Sequence, residues 1–116
     1  MFRAFAVALR GVAVAWRQEL HLKLHTAAAV LVCTAAWWLG TTTTEWAILL
    51  LCFGFVIGLE YVNSALERIA DRVTTAEDPL IRDAKDMAAG AVLVGSVASA
   101  LVGILVLGPK LAALFS

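Results

Sequence analysis

Three segments of this chain contain no charged side chain, and their lengths constrain the fold more than any other feature. They cover residues 26–44, 46–59 and 87–109. A helix needs about 20 predominantly apolar residues to cross a hydrocarbon core about 30 Å thick. The chain has 116 residues, of which 62% are hydrophobic, and this is too apolar for a soluble domain of its size. We therefore predict a single all-α integral membrane domain over residues 1–116, with membrane spans at 26–44, 46–66 and 87–109.

The segment before the first span, residues 2–24, predicts an amphipathic helix. Arg3, Arg10 and Arg17 repeat every seven residues on one face, and apolar residues recur at helical spacing on another. Such a helix can lie in the membrane interface with its basic side toward lipid phosphates. The alternative is that this segment is only the entry to the first span.

The distribution of basic residues predicts the orientation of the chain. Eight of the nine Lys and Arg residues lie before the first span or between the second and third spans. Basic residues collect on the cytoplasmic side of a membrane, so we expect the N-terminus inside and the C-terminus outside. The nine basic and nine acidic residues cancel. The net charge therefore indicates no partner, and we expect no nucleic acid.

A polar stretch from Glu60 to Asp71 follows the uncharged part of the second span. On a helix, Glu60, Asn63, Glu67 and Asp71 share one face. Glu60 lies about 21 Å from Trp46 at 1.5 Å per residue, near the inner edge of the hydrocarbon core. An ionisable group at that depth is costly and by default indicates a functional site. A desolvated carboxylate suits a general base, although Glu60 as a side chain that reaches to the interface is the alternative.

Other polar residues near the inner interface suit phosphoryl transfer. Glu67 is closer to water and is a candidate ligand for Mg²⁺, with Glu19 as a second carboxylate. Lys85 is a point charge suited to phosphate, and Asp86 could orient Lys85 or a nucleotide hydroxyl. The structural alternatives are a solvated helix end around Glu67, Asn63 as a contact between helices, and Lys85 with Asp86 as the interfacial start of the third span. His21 and His25 are four residues apart, and we interpret them as interfacial residues in preference to a metal site.

Two sequence blocks resemble the signature of the prokaryotic diacylglycerol kinase family, which includes undecaprenol kinases. The first is Glu60-x-x-Asn63-Ser64-Ala65-x-Glu67-x-x-x-Asp71, and the second is Ala84-Lys85-Asp86-x-x-Ala89-Gly90-Ala91-Val92-Leu93. The similarity extends to Gly11, Trp16, Glu19 and the segment 108–111. The stretch 17–25 is more similar to the undecaprenol kinase branch, except at His21 and Leu22, where that branch often has Asn and Phe.

The resemblance implies a homotrimeric kinase of the bacterial inner membrane, with its active site facing the cytoplasm. It would transfer the γ-phosphoryl group of ATP, with Mg²⁺, to a lipid alcohol, and the branch similarity favours undecaprenol over diacylglycerol. By this similarity Glu60 and Asn63 match catalytic residues, and Asp71 matches a supporting acid. Glu19 and Glu67 match metal ligands and nucleotide contacts. The remaining matched residues are nucleotide contacts at Glu77, Asp78, Lys85 and Asp86, and substrate contacts at Trp16 and Glu60.

A small proton-coupled transporter is the alternative from another functional class. It explains a carboxylate within a membrane helix by making Glu60 the titrating group. It does not explain why Glu19, Glu67, Lys85 and Asp86 converge on one interface. ATP consumption that depends on added lipid separates the two hypotheses.

Overall fold

The computed structural model describes residues 1–116 and consists of four α-helices with no strand. The helices are α1 Phe2–Gln18, α2 Leu20–Trp38, α3 Thr43–Val73 and α4 Pro79–Ala113. The last three are long and apolar enough to cross a membrane. The predicted all-α architecture with three long apolar helices is therefore confirmed.

The first helix is shorter than predicted. The segment 2–24 is divided at Glu19, whose backbone is extended (φ −113°, ψ 109°), so α1 ends at Gln18 and α2 begins at Leu20. Neither Gly nor Pro lies at this break. Lys23 and His25 therefore belong to the same helix as the first apolar segment. Within α1 only Ala15 is buried, so this helix packs lightly on the others.

The tight connection between α2 and α3 has local causes. Gly40 has a positive φ of 74°, which L-residues with a side chain rarely adopt. The N–H of Gly40 bonds the Trp37 carbonyl and that of Thr41 bonds the Ala36 carbonyl, which is the Schellman pattern of helix ends. The N-cap of α3 is Thr42, whose hydroxyl accepts from the Glu45 N–H while the Glu45 carboxylate accepts from the Thr42 N–H. Helix α2 thus ends at Trp38, whereas the boundary of the first span at residue 44 stays a prediction.

Helices α3 and α4 share the most extensive contact of any two helices in the chain. Gly95 of α4 is buried, and a Cβ placed there would lie 2.7 Å from Cδ1 of Leu59 and 3.1 Å from Cε1 of Phe55. Small residues allow such close approach between membrane helices. At the far end of the pair, Nζ of Lys110 lies 2.9 Å from Oε1 of Glu45. Helix α4 continues through Pro109, beyond the predicted end of the third span.

Most apolar side chains of the single chain remain exposed. Only 7 of the 116 residues are buried. An isolated soluble protein rarely exposes so much apolar surface, so these faces are suited to lipid or to further copies of the chain.

Candidate active site

The polar side chains of the chain gather at one end of the helices. This end is formed by the α1–α2 junction, the C-terminal half of α3 and the start of α4. Three contacts between different elements lie there: the ion pairs Arg68–Glu19 and Lys85–Asp71, and the imidazole–carboxylate contact of His25 with Glu60. The convergence expected from the sequence is therefore present in the geometry, although the compartment that this end faces stays a prediction.

Glu60 is the buried carboxylate of the molecule. The residue is only 8% exposed, and its Oε1 lies 2.8 Å from Nδ1 of His25 on α2. The two atoms are close, but the buried Nδ1 forms no hydrogen bond. The second oxygen, Oε2, is buried and has no hydrogen-bond partner. A buried polar atom without a partner is costly, and such atoms are often placed to meet a substrate.

Asn63 lies one turn after Glu60 on the same face of α3. Its Oδ1 is also buried and has no hydrogen-bond partner. Two neighbouring acceptors, Glu60 Oε2 and Asn63 Oδ1, are therefore free within a poorly solvated region. A ligand that donates a hydrogen bond, such as a hydroxyl group, would satisfy either of them.

Glu19 joins α1 to α2 and contacts α3. Its Oε1 accepts a hydrogen bond from Nη2 of Arg68 at 3.1 Å. Since Arg68 follows Glu67, this contact brings Glu19 to the turn of α3 that carries Glu67. The Glu67 residue itself is exposed.

These two carboxylates fit a magnesium ion that is bound together with a nucleotide. No group of three His, Cys, Asp or Glu side chains lies close enough to form a protein-only metal site. Mg²⁺ usually takes one or two carboxylates and completes its coordination with water and phosphate oxygens. Glu19 and Glu67 match that requirement in number and chemistry, with Glu19 shared with Arg68.

A polar cavity of about 540 Å³ lies at the turn between α3 and α4. Its lining includes five of the residues singled out in the sequence, namely Asp71, Glu77, Asp78, Lys85 and Asp86. The structure therefore brings the predicted nucleotide contacts of this region into one place. The cavity falls within the usual range for small-molecule sites, about 300–1,000 Å³.

Lys85 forms an ion pair within this cavity. Its Nζ donates a hydrogen bond to Oδ1 of Asp71, across the α3–α4 pair. Lys85 precedes the uncharged 87–109 segment. The hydrogen bond with Asp71 raises the pKa of Lys85 above its ordinary value, so the side chain is a permanent cation at neutral pH.

Asp78 has a structural task that the sequence resemblance did not indicate. It is the N-cap of α4, and its Oδ1 accepts from the N–H groups of Leu80 (2.9 Å) and Ile81 (3.2 Å). Pro79 takes the first helical position, as its missing N–H and fixed φ favour. Any nucleotide contact by Asp78 would therefore be made by a carboxylate that already accepts two backbone hydrogen bonds.

An apolar cavity of about 580 Å³ runs along α2, α3 and α4. It is lined by small and apolar residues from Ala28 to Ala35 on α2, from Leu49 to Ile57 on α3 and from Ser96 to Leu111 on α4, and by Leu39 just after α2. His25 lines the same cavity. The imidazole that contacts Glu60 therefore marks the polar end of an apolar passage, which suits a hydrocarbon chain with a polar head.

Comparison with known proteins places these features in a family. The model of a family described as "Prokaryotic diacylglycerol kinase" matches residues 6–107. This chain belongs to the prokaryotic diacylglycerol kinase family. It is 38% identical over 110 residues to "Undecaprenol kinase" of Bacillus subtilis (strain 168), covering 95% of this chain and 89% of that protein.

Other relatives carry the name diacylglycerol kinase. That of Synechocystis sp. is 38% identical over 112 residues, which cover 96% of this chain and 64% of the relative. That of Escherichia coli (strain K12) is 28% identical over 97 residues, which cover 84% of this chain and 80% of the relative. The chain is therefore a lipid kinase, and its family implies a nucleotide as phosphoryl donor. The transporter hypothesis has no support from these relatives.

Three contacts at this polar end were not predicted from the sequence, in which His25 was interpreted as an interfacial residue. His25 contacts Glu60, Arg68 contacts Glu19, and the hydroxyl of Tyr61 donates a hydrogen bond to the Val12 carbonyl at 3.4 Å. The partners lie 35 to 49 residues apart in the chain, so no local spacing could indicate these pairs. Trp16 lies on α1, one turn after Val12, and is 41% exposed. Its predicted contact with substrate stays a prediction.

Proposed function

We propose that this lipid kinase transfers the γ-phosphoryl group of ATP to the hydroxyl of undecaprenol or a closely similar isoprenoid alcohol. The observation that carries the proposal is the buried Oε2 of Glu60, which has no hydrogen-bond partner. The other oxygen of this carboxylate lies 2.8 Å from His25, which lines the apolar cavity. The choice of lipid is supported by the 38% identity to an undecaprenol kinase, in an alignment that covers 95% of the chain. Diacylglycerol is the second candidate, because several relatives bear that name.

In the proposed reaction, Glu60 acts as the general base. The lipid hydroxyl gives its proton to Oε2, and the oxygen forms a bond to the γ-phosphorus while the bond to the β-phosphate oxygen breaks. ADP leaves, and the phosphorylated lipid remains in the membrane. Asn63 Oδ1 would orient the hydroxyl, and substrate contact by Trp16 would hold the lipid near α1.

The nucleotide would lie along the polar face of α3. Asp71 and Glu67 follow Glu60 by about 16 Å and about 10 Å along the helix axis, at 1.5 Å per residue. Lys85, with Asp86, Glu77 and Asp78 nearby, would hold the end of the nucleotide in the polar cavity. Glu19 and Glu67 would hold Mg²⁺, which neutralises phosphate charge when bound. Asp71 would support Lys85.

We further propose that the kinase works as a homotrimer in the bacterial inner membrane, with the polar end in the cytoplasm. The exposed apolar faces of the single chain support association with lipid and with other copies. The basic residues that flank the polar end support its orientation. The amphipathic α1 would then lie at the cytoplasmic surface of the membrane.

The direct test is a product assay. The purified chain in bilayers is incubated with labelled MgATP and, separately, with undecaprenol, diacylglycerol or no added lipid. We expect labelled undecaprenyl phosphate at the highest kcat/KM. Preferential labelling of diacylglycerol would move the substrate assignment to the second candidate, and ATP turnover without any labelled lipid would overturn the proposal.

The base assignment is tested with Glu60→Gln, which keeps size and removes the proton acceptor. We expect the rate to fall by about 10²–10⁴-fold, the usual contribution of a positioned acid or base. The matched control is Asp83→Asn, an exposed acid of α4 without an ion-pair partner. A Glu60→Gln variant that retains the parent rate would show that Glu60 is not the base.

A further inference from the structure

The two carboxylate oxygens of Glu60 have different surroundings because of His25. Oε1 lies 2.8 Å from Nδ1 of His25, whereas Oε2 is buried with no partner. His25 is on α2 and Glu60 on α3, so the contact also joins two helices that both line the apolar cavity. Of all charged or titratable side chains, His25 is the one at ion-pair distance from Glu60.

A carboxylate in a poorly solvated site needs such a partner to keep a defined orientation. Without one, burial of the charged form is costly and the side chain can rotate or turn toward water. An imidazole that holds one oxygen leaves the other as the proton acceptor. This is the logic by which a partner residue fixes the orientation of a catalytic group in other enzymes.

The location of His25 favours this role over that of a general packing residue. Its side chain is 39% exposed, so little packing energy depends on it. It lines the apolar cavity, where every other side chain on α2 that borders the cavity is apolar. Its buried Nδ1 has no hydrogen-bond partner, and Oε1 of Glu60 at 2.8 Å is the carboxylate oxygen within reach of it.

We propose that His25 is the positioning residue for Glu60, holding Oε1 so that Oε2 faces the hydroxyl of the lipid alcohol. This inference rests on the proposed role of Glu60 as general base. It adds a residue within α2 to the residues already proposed for the reaction, none of which lies in that helix. His25 touches the base and not the reacting atoms, so it acts through Glu60.

Two substitutions separate positioning from packing. His25→Leu removes the ring nitrogen next to Oε1, while His25→Asn can place an amide N–H there, because Nδ1 of His and Nδ2 of Asn are both bonded to Cγ. We expect His25→Leu to lower kcat by about 10–100-fold, as the loss of an orienting partner does elsewhere. We expect His25→Asn to recover most of that loss. Neither change should alter the KM for ATP, since the nucleotide is proposed to bind farther along α3.

The control is His21→Leu, one turn earlier on the same helix. His21 is exposed and forms no ion pair. We expect parent-like kcat and thermal stability for this variant. If His21→Leu and His25→Leu lowered kcat equally, a loss of polarity anywhere on this part of α2 would explain the effect. This result would overturn the specific role of His25.

A double-mutant comparison shows whether His25 acts through Glu60. Glu60→Asp keeps a carboxylate but shortens the side chain by one methylene group, which moves the carboxylate away from the imidazole. His25→Leu should therefore lower kcat much less in that background than in the parent. Equal effects in both backgrounds would overturn the positioning role. If Glu60→Gln retains the parent rate, the base assignment itself fails; if Glu60→Gln is inactive but His25→Leu has the parent rate, only the role of His25 fails.

Discussion

Arg68 donates a hydrogen bond from Nη2 to Oε1 of Glu19 at 3.1 Å, joining residues that are 49 positions apart. The contact joins the α1–α2 junction to the turn of α3 that contains Glu67. It also means that a proposed metal ligand is engaged by a cation within the same chain. Arg68 and Mg²⁺ would then compete for the Glu19 carboxylate.

The first prediction concerns that competition. We expect Arg68→Gln to lower the Mg²⁺ concentration needed for half-maximal activity, at saturating ATP. Partly exposed ion pairs contribute about 0.2–1 kcal/mol, which corresponds to a change of up to about fivefold. Titration of the rate with MgCl₂ measures the effect. Arg72→Gln, an exposed arginine without an ion pair, is the control, and a raised Mg²⁺ requirement in Arg68→Gln would contradict the competition.

Removal of the metal ligands gives a second prediction. We expect Glu19→Gln and Glu67→Gln each to raise the Mg²⁺ requirement and to lower kcat/KM for ATP by at least about tenfold. Excess Mg²⁺ should restore part of the activity, because each variant retains one carboxylate. A chelator should abolish the parent activity, and Mg²⁺ should restore it. Parent-like Mg²⁺ dependence in both variants would remove these residues from the metal site.

The pair formed by Lys85 and Asp71 allows a third prediction about nucleotide binding. We expect Lys85→Gln to raise the KM for ATP by about tenfold to a hundredfold, because a charge-assisted hydrogen bond to phosphate contributes about 1.5–3 kcal/mol. Asp71→Asn should raise the KM less, since Lys85 keeps its charge. In the double variant the two effects should not add, because Asp71 is proposed to act through Lys85. Full additivity would assign Asp71 a separate role.

The overall architecture could be predicted because its causes are local. Long apolar segments indicated three long helices. The break at Glu19 could not be predicted, because its most evident partner, Arg68, comes from α3. The same holds for His25, whose partner Glu60 is 35 residues away. The residues around the α3–α4 turn were easier to group, because Asp71 and Lys85 are close in the chain and the helices they end and begin are antiparallel.

Asp78 provides a fourth prediction, which separates a structural from a chemical role. Asp78→Ala removes the acceptor for the N–H groups of Leu80 and Ile81, and we expect a loss of about 0.5–2 kcal/mol of stability. Asp78→Asn keeps a side-chain acceptor and should retain the parent stability. Thermal unfolding in detergent measures both variants. Equal destabilisation by Ala and Asn would show that the negative charge, and not the cap, stabilises α4.

The fifth prediction concerns the close approach of α3 and α4 at Gly95. A larger side chain there must displace Leu59 and Phe55, since even a Cβ would lie 2.7 Å from Cδ1 of Leu59. Leu59 can move its terminal methyl groups, so we expect Gly95→Ala to be tolerated better than Gly95→Val. Overpacking of a buried contact costs about 1–3 kcal/mol, which we expect for Gly95→Val. The control is Gly90→Val on the same helix, where a Cβ meets no atom within 4 Å. Since Leu59 precedes Glu60, displacement of Leu59 should also lower kcat in Gly95→Val, whereas unchanged stability and kcat would show that the α3–α4 pair separates without cost.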